Sequence, residues 1–536
     1  MTNNEIMWKL TELRDLLILS GKKSSESESE EERIAAEEVE KTGNSSLIDQ
    51  LRTKIPPGLI EMIEIPELDA ITINKINREL GVTTLNGLRK VAKKRQLRRL
   101  EGISSKRELS ILRSIKLLLE PPERFPSAIA KPMGDKIVAD IMLIPGVINA
   151  TLSGELRRGM EMVDFISIVI KGDNSEEILG VMSKHPLFKK NIFKSSLKLV
   201  VETNIKLKVE MEVAESSEYW HRVHHTTGSA DYIEEFERID KSRNITLGVD
   251  TINCEQDLYK KLDMQYVEPE LRESKSVIEL AIKGEIPELI NMDDYKGDLH
   301  SHTMWSDGTG TVEEIARAAI KQQYSYLAIT EHTKSLKIAR GITEQELEQQ
   351  MDEIDKLNSK FAEEGIPFRL LKGVEVDILK SGILDFENEV LEKMDLVIAS
   401  VHTDFDQSKQ KMTERIIKAL ENPYVNIFAH PTGRILGRRS GYEVDLDQVF
   451  AAAKETGTVL EINSAPDRLD LNYLDAKRAR DMGIKIAINT DSHDPERLSN
   501  ISFGIQEAKK GWLKAEDVIN CMGLEELQEF FKAQKN

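Results

Sequence analysis

Residues 326–332 read Tyr-Leu-Ala-Ile-Thr-Glu-His, an apolar run that ends on side chains able to bind a metal ion. Later apolar runs end in the same way and lead into Glu375, His402, His430 and Asp491. Amphipathic helical segments separate these runs, a pattern typical of a parallel α/β fold. We predict an α/β barrel from residue 296 to the C-terminus. Because the carboxyl ends of parallel strands meet on one face, these side chains should form one site at the mouth of the barrel.

Histidines and carboxylates are concentrated at these predicted strand ends. Six of the ten histidines lie beyond residue 299, and His300 and His302 are spaced to point the same way from a strand. Asp307 follows in a tight polar turn. The complete set of candidate metal ligands is His300, His302, Asp307, His332, Glu375, His402, His430, Asp491 and His493.

The size of this set favours several ions over one. Six imidazoles and three carboxylates exceed the needs of a single tetrahedral ion. They suit two or three zinc- or manganese-like ions ~3.5–4 Å apart. A single histidine is more often an ordinary core residue, but six at strand ends indicate a metal cluster.

The motifs around these ligands resemble those of the polymerase and histidinol phosphatase (PHP) phosphoesterases. The matching strings are His300-Ser-His302, Thr330-Glu-His332, Gly373-Val-Glu375, Ser400-Val-His402, Ala429-His430-Pro431 and Asp491-Ser-His493. The resemblance implies a distorted (β/α)7 barrel with a trinuclear metal centre. Longer strings are similar to the PHP domain fused to bacterial and archaeal family X DNA polymerases: Gly297-Asp-Leu-His-Ser-His302, His430-Pro-Thr-Gly-Arg434, Pro466-Asp-Arg-Leu-Asp470 and Lys510-Gly-Trp512.

The chemistry implied is metal-dependent hydrolysis of a phosphoester. Divalent ions at such a centre activate water for in-line attack on phosphorus, and no amino-acid nucleophile is required. We predict catalytic roles for Asp307 and Glu375 as ligands. Glu331, next to His332, is expected to orient that imidazole.

Two arginines are candidates for binding the phosphate. Arg434 and Arg468 lie in the strings just quoted, and a guanidinium pairs with phosphate through two hydrogen bonds. The alternative for both is a structural ion pair with Asp445 or Asp470.

Residues 120–290 resemble the family X nucleotidyltransferase. The resemblance rests on Ser153-Gly-Glu-Leu-Arg-Arg-Gly159, Val163-Asp-Phe-Ile166, Thr227-Gly-Ser229 and Pro269-Glu-Leu-Arg272. Two-metal nucleotidyl transfer needs several carboxylates. Asp164 is present and Glu210 takes the third carboxylate position, but the partner expected two residues after Asp164 is Ile166. Glu155 would also repel a triphosphate. We therefore predict a degenerate polymerase site.

The N-terminal residues 1–119 are predicted to be helical and weakly resemble a helix-hairpin-helix module. Residues 89–107 hold nine lysines or arginines and one acid, whereas the whole chain carries a formal net charge of −19. DNA would therefore need this local basic patch. The predicted DNA-binding residues are Lys90, Lys93, Lys94, Arg95, Arg98 and Lys106. The alternative is a solvated helix face.

The composition excludes several classes of protein. The chain of 536 residues is 40% hydrophobic and has two cysteines, so it is neither wholly disordered nor a disulfide scaffold. No apolar run reaches the ~18 residues needed to span a membrane. The first residues of the sequence lack the basic region of a secretory signal. We expect a cytoplasmic protein.

The sequence thus predicts three domains: a helical domain (1–119), an α+β polymerase-like domain (120–290) and a PHP barrel (296–536). The expected function is that of a metal-dependent 3′–5′ DNA exonuclease in DNA repair, acting on 3′ ends of gapped or primed DNA. Two or three zinc or manganese ions are expected, and magnesium only if polymerase activity survives. The alternatives are a DNA polymerase with PHP editing, a phosphatase of the histidinol-phosphatase type, and a non-catalytic binding module.

Overall fold

The computed structural model describes residues 3–21, 30–243 and 252–534. Within these ranges no helix combines the length and the apolar character that a membrane crossing requires. The described chain forms a helical region, an α+β region and a parallel barrel, in that order.

The N-terminal region is helical, as the sequence predicts. Its helices are α1 (Asn3–Leu19), α2 (Glu30–Thr42), α3 (Ser46–Lys54), α4 (Pro57–Met62), α5 (Ala70–Leu80), α6 (Leu85–Lys93) and α7 (Ser105–Leu119). A short 3-10 turn, Leu97–Arg99, lies between the last two helices. Ile48, Met62 and Ile111 are among the fully buried side chains of one continuous apolar core. Ser104 caps the last helix by accepting a hydrogen bond from the Arg107 amide.

The middle region has a two-stranded antiparallel sheet and a five-stranded mixed sheet, with helices packed around them. Its strands are β1 (Phe125–Pro126), β2 (Val147–Ser153), β3 (Met162–Val163), β4 (Phe165–Gly172), β5 (Phe188–Lys194), β6 (Lys198–Thr203) and β7 (Lys208–Ala214). Its helices are α8 (Ser127–Met142), α9 (Gly154–Arg157), α10 (Ser175–Met182), α11 (Tyr219–Thr227), α12 (Ala230–Arg243), α13 (Gln256–Lys261) and α14 (Ser276–Lys283). β1 pairs with β3, and the larger sheet has the order β2-β4-β7-β6-β5, with β4 and β7 parallel.

The C-terminal region is a parallel sheet whose strands follow one another in chain order. They are β8 (Gly297–Asp298), β9 (Tyr326–His332), β10 (Arg369–Asp377), β11 (Leu396–Ser400), β12 (Ile427–Phe428), β13 (Val459–Asn463) and β14 (Ile486–Asn489). The helices around them are α15 (Val312–Lys321), α16 (Glu344–Glu363), α17 (Asn388–Leu391), α18 (Lys409–Leu420), α19 (Leu446–Thr456), α20 (Tyr473–Asp481), α21 (Ile501–Lys510) and α22 (Leu524–Gln534).

This sheet curls into a nearly closed barrel. A bridge between Ser301 and Ser492 joins the segments that follow the first and last strands, β8 and β14. Helices cover the outside, so β9, β11, β13 and β14 are buried along their whole length, which explains why they read as continuous apolar runs. The seven parallel strands confirm the predicted α/β barrel.

A buried charge network stabilises the middle region. Arg272 is fully buried and donates to both carboxylate oxygens of Glu255, at 2.6 and 3.0 Å. Arg157 donates to the same carboxylate at 2.7 and 3.0 Å. Burial would raise the pKa of Glu255, but Arg272 and Arg157 outweigh it and hold that pKa well below its usual range.

We predict that Glu255→Gln lowers the free energy of unfolding of this region by ~3–5 kcal/mol, because it leaves Arg272 buried without an ionised partner. Since the pKa of Glu255 is depressed on folding, its contribution is present at neutral pH and is lost as the pH falls below the usual range of a glutamate. Thermal unfolding of the intact protein at several pH values measures both effects. The matched control is Glu235→Gln, which breaks an exposed pair with Arg238 and should not move the transition. Equal shifts for the two variants would contradict the prediction.

Candidate metal centre

The mouth of the barrel collects the candidate ligands from six of its strands. Each ligand lies at or just beyond the carboxyl end of a strand, except for Asp307, which lies in the loop after β8. The nine side chains are His300, His302, Asp307, His332, Glu375, His402, His430, Asp491 and His493. The backbone at His430 (φ 32°) and Asp491 (φ 51°) is left-handed, a conformation that non-glycine residues hold only under local constraint.

Glu375 is the central carboxylate of this cluster. Its Oε2 lies 2.8 Å from His332 Nδ1, 3.4 Å from His300 Nε2 and 3.5 Å from His302 Nε2. Its Oε1 lies 3.0 Å from His430 Nε2 and 3.4 Å from His402 Nε2. One carboxylate thus lies close to five imidazoles, which come from the ends of four strands: β8, β9, β11 and β12.

Eight of the nine side chains, all except His430, form three overlapping groups suited to metal binding, in each of which one ligand atom per residue lies within 4.8 Å of the others. These groups are His302, Asp307, His332 and His493; His300, His302 and Asp491; and His332, Glu375 and His402. His302 and His332 each belong to two groups, which is the arrangement expected when ions sit close together.

Several buried atoms of the cluster make no hydrogen bond to any described residue. They include His300 Nε2, His302 Nε2, Asp307 Oδ1 and Glu375 Oε2. Leaving such atoms unpaired is costly unless something binds them. Nitrogen and carboxylate oxygen are the donors preferred by zinc and manganese, so the residues fit a group of divalent ions.

The electrostatics of the cluster also favour bound cations. Burial would raise the pKa of Glu375, but His402, His332 and His300 outweigh it and keep that carboxylate ionised. Burial and the neighbouring imidazoles lower the pKa of His302 to about 3. At His332 burial acts in the same direction, but the Glu375 carboxylate outweighs it and raises the pKa to about 9. The Glu375 carboxylate therefore favours the protonated form of His332. Bound divalent ions would supply the positive charge in place of that proton.

Further carboxylates and a carbonyl orient the imidazoles, and the sequence analysis missed them. Glu461 Oε1 lies 2.8 Å from His300 Nδ1, and Asp377 Oδ1 lies 2.9 Å from His402 Nδ1. Since an ionised carboxylate only accepts, both imidazoles carry a proton on Nδ1 and turn Nε2 towards the centre. His493 Nδ1 likewise lies 2.8 Å from the Asp491 carbonyl oxygen. Glu461 lies in the middle of β13, and no sequence motif marks it.

The Glu331 carboxylate makes its hydrogen bonds to described residues other than His332, contrary to the expectation from sequence. Its buried carboxylate accepts hydrogen bonds from Thr303 Oγ1 (2.5 Å), Ser306 Oγ and Gln350 Nε2 (2.9 Å). Two of these donors belong to the loop that carries Asp307. Glu331 therefore holds the loop of a ligand rather than a ligand itself.

The two candidate arginines differ in their surroundings. Arg468 Nε lies 3.7 Å from Asp491 Oδ2, at the edge of the cluster. Arg434 instead donates to Glu161 of the middle region, at 2.5 and 3.2 Å, and to the Leu469 carbonyl oxygen. The sequence suggested Asp445 or Asp470 as a partner for Arg434. Among the described residues, Arg434 forms a salt bridge with neither of them.

The polymerase-like residues have their charges paired within the chain. Arg124 donates to Asp164 at 2.8 Å and to Glu155 at 2.5 Å. Glu210 lies 2.9 Å from Lys198 Nζ. The described residues of this region contain no group of three metal-binding side chains.

The strand register shows which residue of β4 lies beside Glu210. Ser167 of β4 pairs with Glu210 of β7, whereas Ile166 pairs with Val209 and is buried in the core. Paired residues of parallel strands point to the same face. The position beside Glu210 is therefore Ser167 and not Ile166, and it also lacks a carboxylate.

The predicted DNA patch is partly exposed. Lys90, Lys93, Lys94 and Arg95 are exposed and make no ion pair with other described residues. Arg98 is tied to the buried Glu108 at 2.5 Å. The side chain of Lys106 lies outside the described residues.

We predict that Glu461→Gln weakens metal binding by roughly 10–100-fold, because an amide no longer accepts the His300 Nδ1 proton as an ionised carboxylate does. Titration of the apoprotein with zinc or manganese against a fluorescent chelator measures the affinity. Glu455→Gln, an exposed substitution on α19, is the control and should leave the affinity unchanged. Equal affinities for all three proteins would show that Glu461 does not support the centre.

Comparisons with known proteins agree with this geometry. The sequence profile of the PHP domain matches residues 298–465. The chain is 35% identical over 503 residues to the DNA polymerase/3′-5′ exonuclease PolX of Bacillus subtilis. The matched segment covers 91% of this chain and 87% of that protein. It is 32% identical over 249 residues to a probable phosphatase of Thermoanaerobacter sp., covering 44% of this chain and 95% of that protein. A probable phosphatase of Acetivibrio thermocellus is 29% identical over 248 residues, again 44% of this chain. The chain therefore belongs to the PolX family of PHP-domain, family X DNA polymerases.

Proposed function

We propose that the protein is a metal-dependent 3′–5′ DNA exonuclease of the PHP type, acting in DNA repair on the 3′ ends of gapped or primed DNA. The observation that carries the proposal is the Glu375-centred ligand cluster at the barrel mouth, in a chain that matches the Bacillus PolX protein over 91% of its length. We propose three domains, 1–119, 120–290 and 296–536, of which the last performs the hydrolysis.

The nine ligand side chains would hold two or three zinc or manganese ions. Such ions supply Lewis acidity for phosphoester hydrolysis. Glu461 and Asp377 keep the Nδ1 protons of His300 and His402 in place and so direct the Nε2 lone pairs inward. Arg468, beside Asp491, would bind a phosphate oxygen of the substrate.

A second arginine, Arg439, lies near enough to Arg468 for the two positive charges to interact. The guanidinium of Arg439 stacks 4.2 Å over the Phe405 ring, and burial together with the like-charged Arg468 lowers its pKa. Like charges repel each other, and a bound anion offsets that repulsion. This charge supports a phosphodiester substrate at the barrel mouth, rather than a neutral one.

The middle region supports DNA positioning rather than DNA synthesis. Arg124 and Lys198 occupy the carboxylates that would otherwise hold magnesium ions, and the strand position next to Glu210 is Ser167. A nucleotidyl transfer site that lacks its carboxylate pair does not assemble two magnesium ions. We therefore propose that polymerase activity is absent.

The central test is an assay on 5′-labelled single-stranded and primed DNA with manganese, with and without dNTPs. We expect shortening ladders from the 3′ end, abolished by chelator and restored by manganese, and no extension products. His300→Ala should reduce hydrolysis by at least ~100-fold, because it removes a ligand of the cluster. The matched control is His225→Ala, on the exposed face of α11.

Three results would contradict the proposal. Wild-type rates for His300→Ala would exclude the cluster as the active centre. Extension that requires magnesium and is lost in Asp164→Ala would restore the polymerase alternative. Cleavage of phosphate monoesters without any cleavage of DNA would favour a phosphatase.

We predict that the triple variant Lys93→Ala, Lys94→Ala, Arg95→Ala binds DNA more weakly and lowers the salt slope of binding by ~2–3, because each phosphate contact contributes ~0.7–0.9 to that slope. Fluorescence anisotropy at several salt concentrations measures it. The control removes three exposed lysines from outer helices of the barrel, Lys356, Lys411 and Lys454. An unchanged slope in the first variant, or equal slopes in both, would show that residues 89–107 do not bind DNA.

A further inference from the structure

The loop after β13 carries Arg468 to the edge of the metal-ligand cluster. The Arg468 and Leu469 amides both donate to the Ala465 carbonyl oxygen, at 2.7 and 3.0 Å. Leu469 has a φ of 46°, in the left-handed region. A leucine keeps this conformation only where its surroundings constrain it. The position of Arg468 therefore depends on whatever holds the Leu469 peptide.

Arg434 is the side chain that holds this peptide. Its Nη2 donates to the Leu469 carbonyl oxygen, and both Nη atoms donate to the Glu161 carboxylate, at 2.5 and 3.2 Å. The pair is largely buried, with exposed side-chain fractions of 15% for Arg434 and 19% for Glu161. A planar guanidinium can bridge two acceptors in this way, because its donors form a rigid fork.

The carboxylate in this bridge comes from a different region of the chain. Glu161 lies beside β3 in the polymerase-like region, whereas Arg434 and Leu469 belong to the barrel. The same loop receives a second contact from the N-terminal helices, where Arg113 of α7 lies 3.8 Å from Asp467. The loop of Arg468 is thus supported from both upstream regions.

Binding of substrate phosphate by Arg434 is a poorer explanation of its surroundings. Both of its terminal nitrogens already have acceptors, and the Glu161 carboxylate offsets its charge. The probable phosphatase of Thermoanaerobacter sp. offers a comparison, since it matches 44% of this chain over 95% of its own length. A protein of that extent has no polymerase-like region to supply such a carboxylate.

We propose that Glu161 is a positioning residue for hydrolysis in the barrel: it holds Arg434 against the Leu469 carbonyl, and so keeps Arg468 in place to bind the substrate phosphate. This inference rests on the proposed exonuclease function. It gives the degenerate polymerase-like region a direct role at the phosphoesterase centre.

The test compares Glu161→Gln with the wild type in the full-length protein. We expect KM for a 5′-labelled oligonucleotide to rise about tenfold, because one ionised acceptor of Arg434 is lost. The value of kcat and the bound metal content should change less than about twofold, since no ligand is altered. Hydrogen exchange of the segment 463–471, followed by mass spectrometry, should become faster, and this readout does not depend on activity.

Two further variants separate positioning from general stability. Arg434→Lys keeps the charge but not the fork, so it should also raise KM and speed exchange, and it serves if Glu161→Gln does not fold. Glu268→Gln is the matched control, because Glu268 also reaches across to the barrel, 4.0 Å from Lys509, but away from this loop. It should match the wild type in KM and exchange.

The inference is overturned if Glu161→Gln keeps the wild-type KM and exchange rates, or if it only lowers the melting temperature. It is also overturned if Glu268→Gln produces the same change in KM. Failure of the wild type to hydrolyse DNA would count against the proposed function instead, and the exchange of residues 463–471 would still report on the bridge.

Discussion

A single buried carboxylate surrounded by imidazoles determines how the barrel is built. Glu375 is fully buried and lies within 3.5 Å of five histidine side chains. Burying that charge would be prohibitive without cations or protonated partners nearby. The strand ends therefore have to converge, and the second layer of acceptors, Glu461 and Asp377, has to keep the imidazoles in one orientation. Glu331 extends the same requirement to the loop of Asp307.

The middle region shows the opposite use of charge. Arg124 pairs with Asp164 and Glu155, Lys198 pairs with Glu210, and the buried Arg272 pairs with Glu255. The carboxylates of Asp164 and Glu210 are thus paired with basic side chains at partly exposed positions. For the buried pair of Arg272 and Glu255, removing one partner alone would leave an uncompensated charge.

The sequence was most informative where pattern and chemistry coincide. The barrel could be predicted because covered parallel strands must be apolar throughout, and each run ended on a ligand such as His332 or His402. Glu461 was missed because its strand, Val459–Asn463, carries the carboxylate in its middle and no motif marks it. The register at Ile166 could not be predicted, since a shift of one residue reverses the face of every side chain and only the pairing with Val209 reveals it. The partner of Arg434 lies 273 residues away in the chain, a separation that no local pattern encodes.

The seam of the barrel has a consequence for how the protein is assembled. β8 and β14 are the two ends of the sheet, and the bridge between Ser301 and Ser492 joins the segments beyond them, together with hydrogen bonds from Thr490 to Asp298. Each serine stands between two candidate ligands: His300 and His302 on one side, Asp491 and His493 on the other. An ion bound by ligands from both segments would link the first strand of the barrel to the last. Metal binding would then also stabilise the closed barrel, so removal of the ions by a chelator would weaken the contact between its two ends.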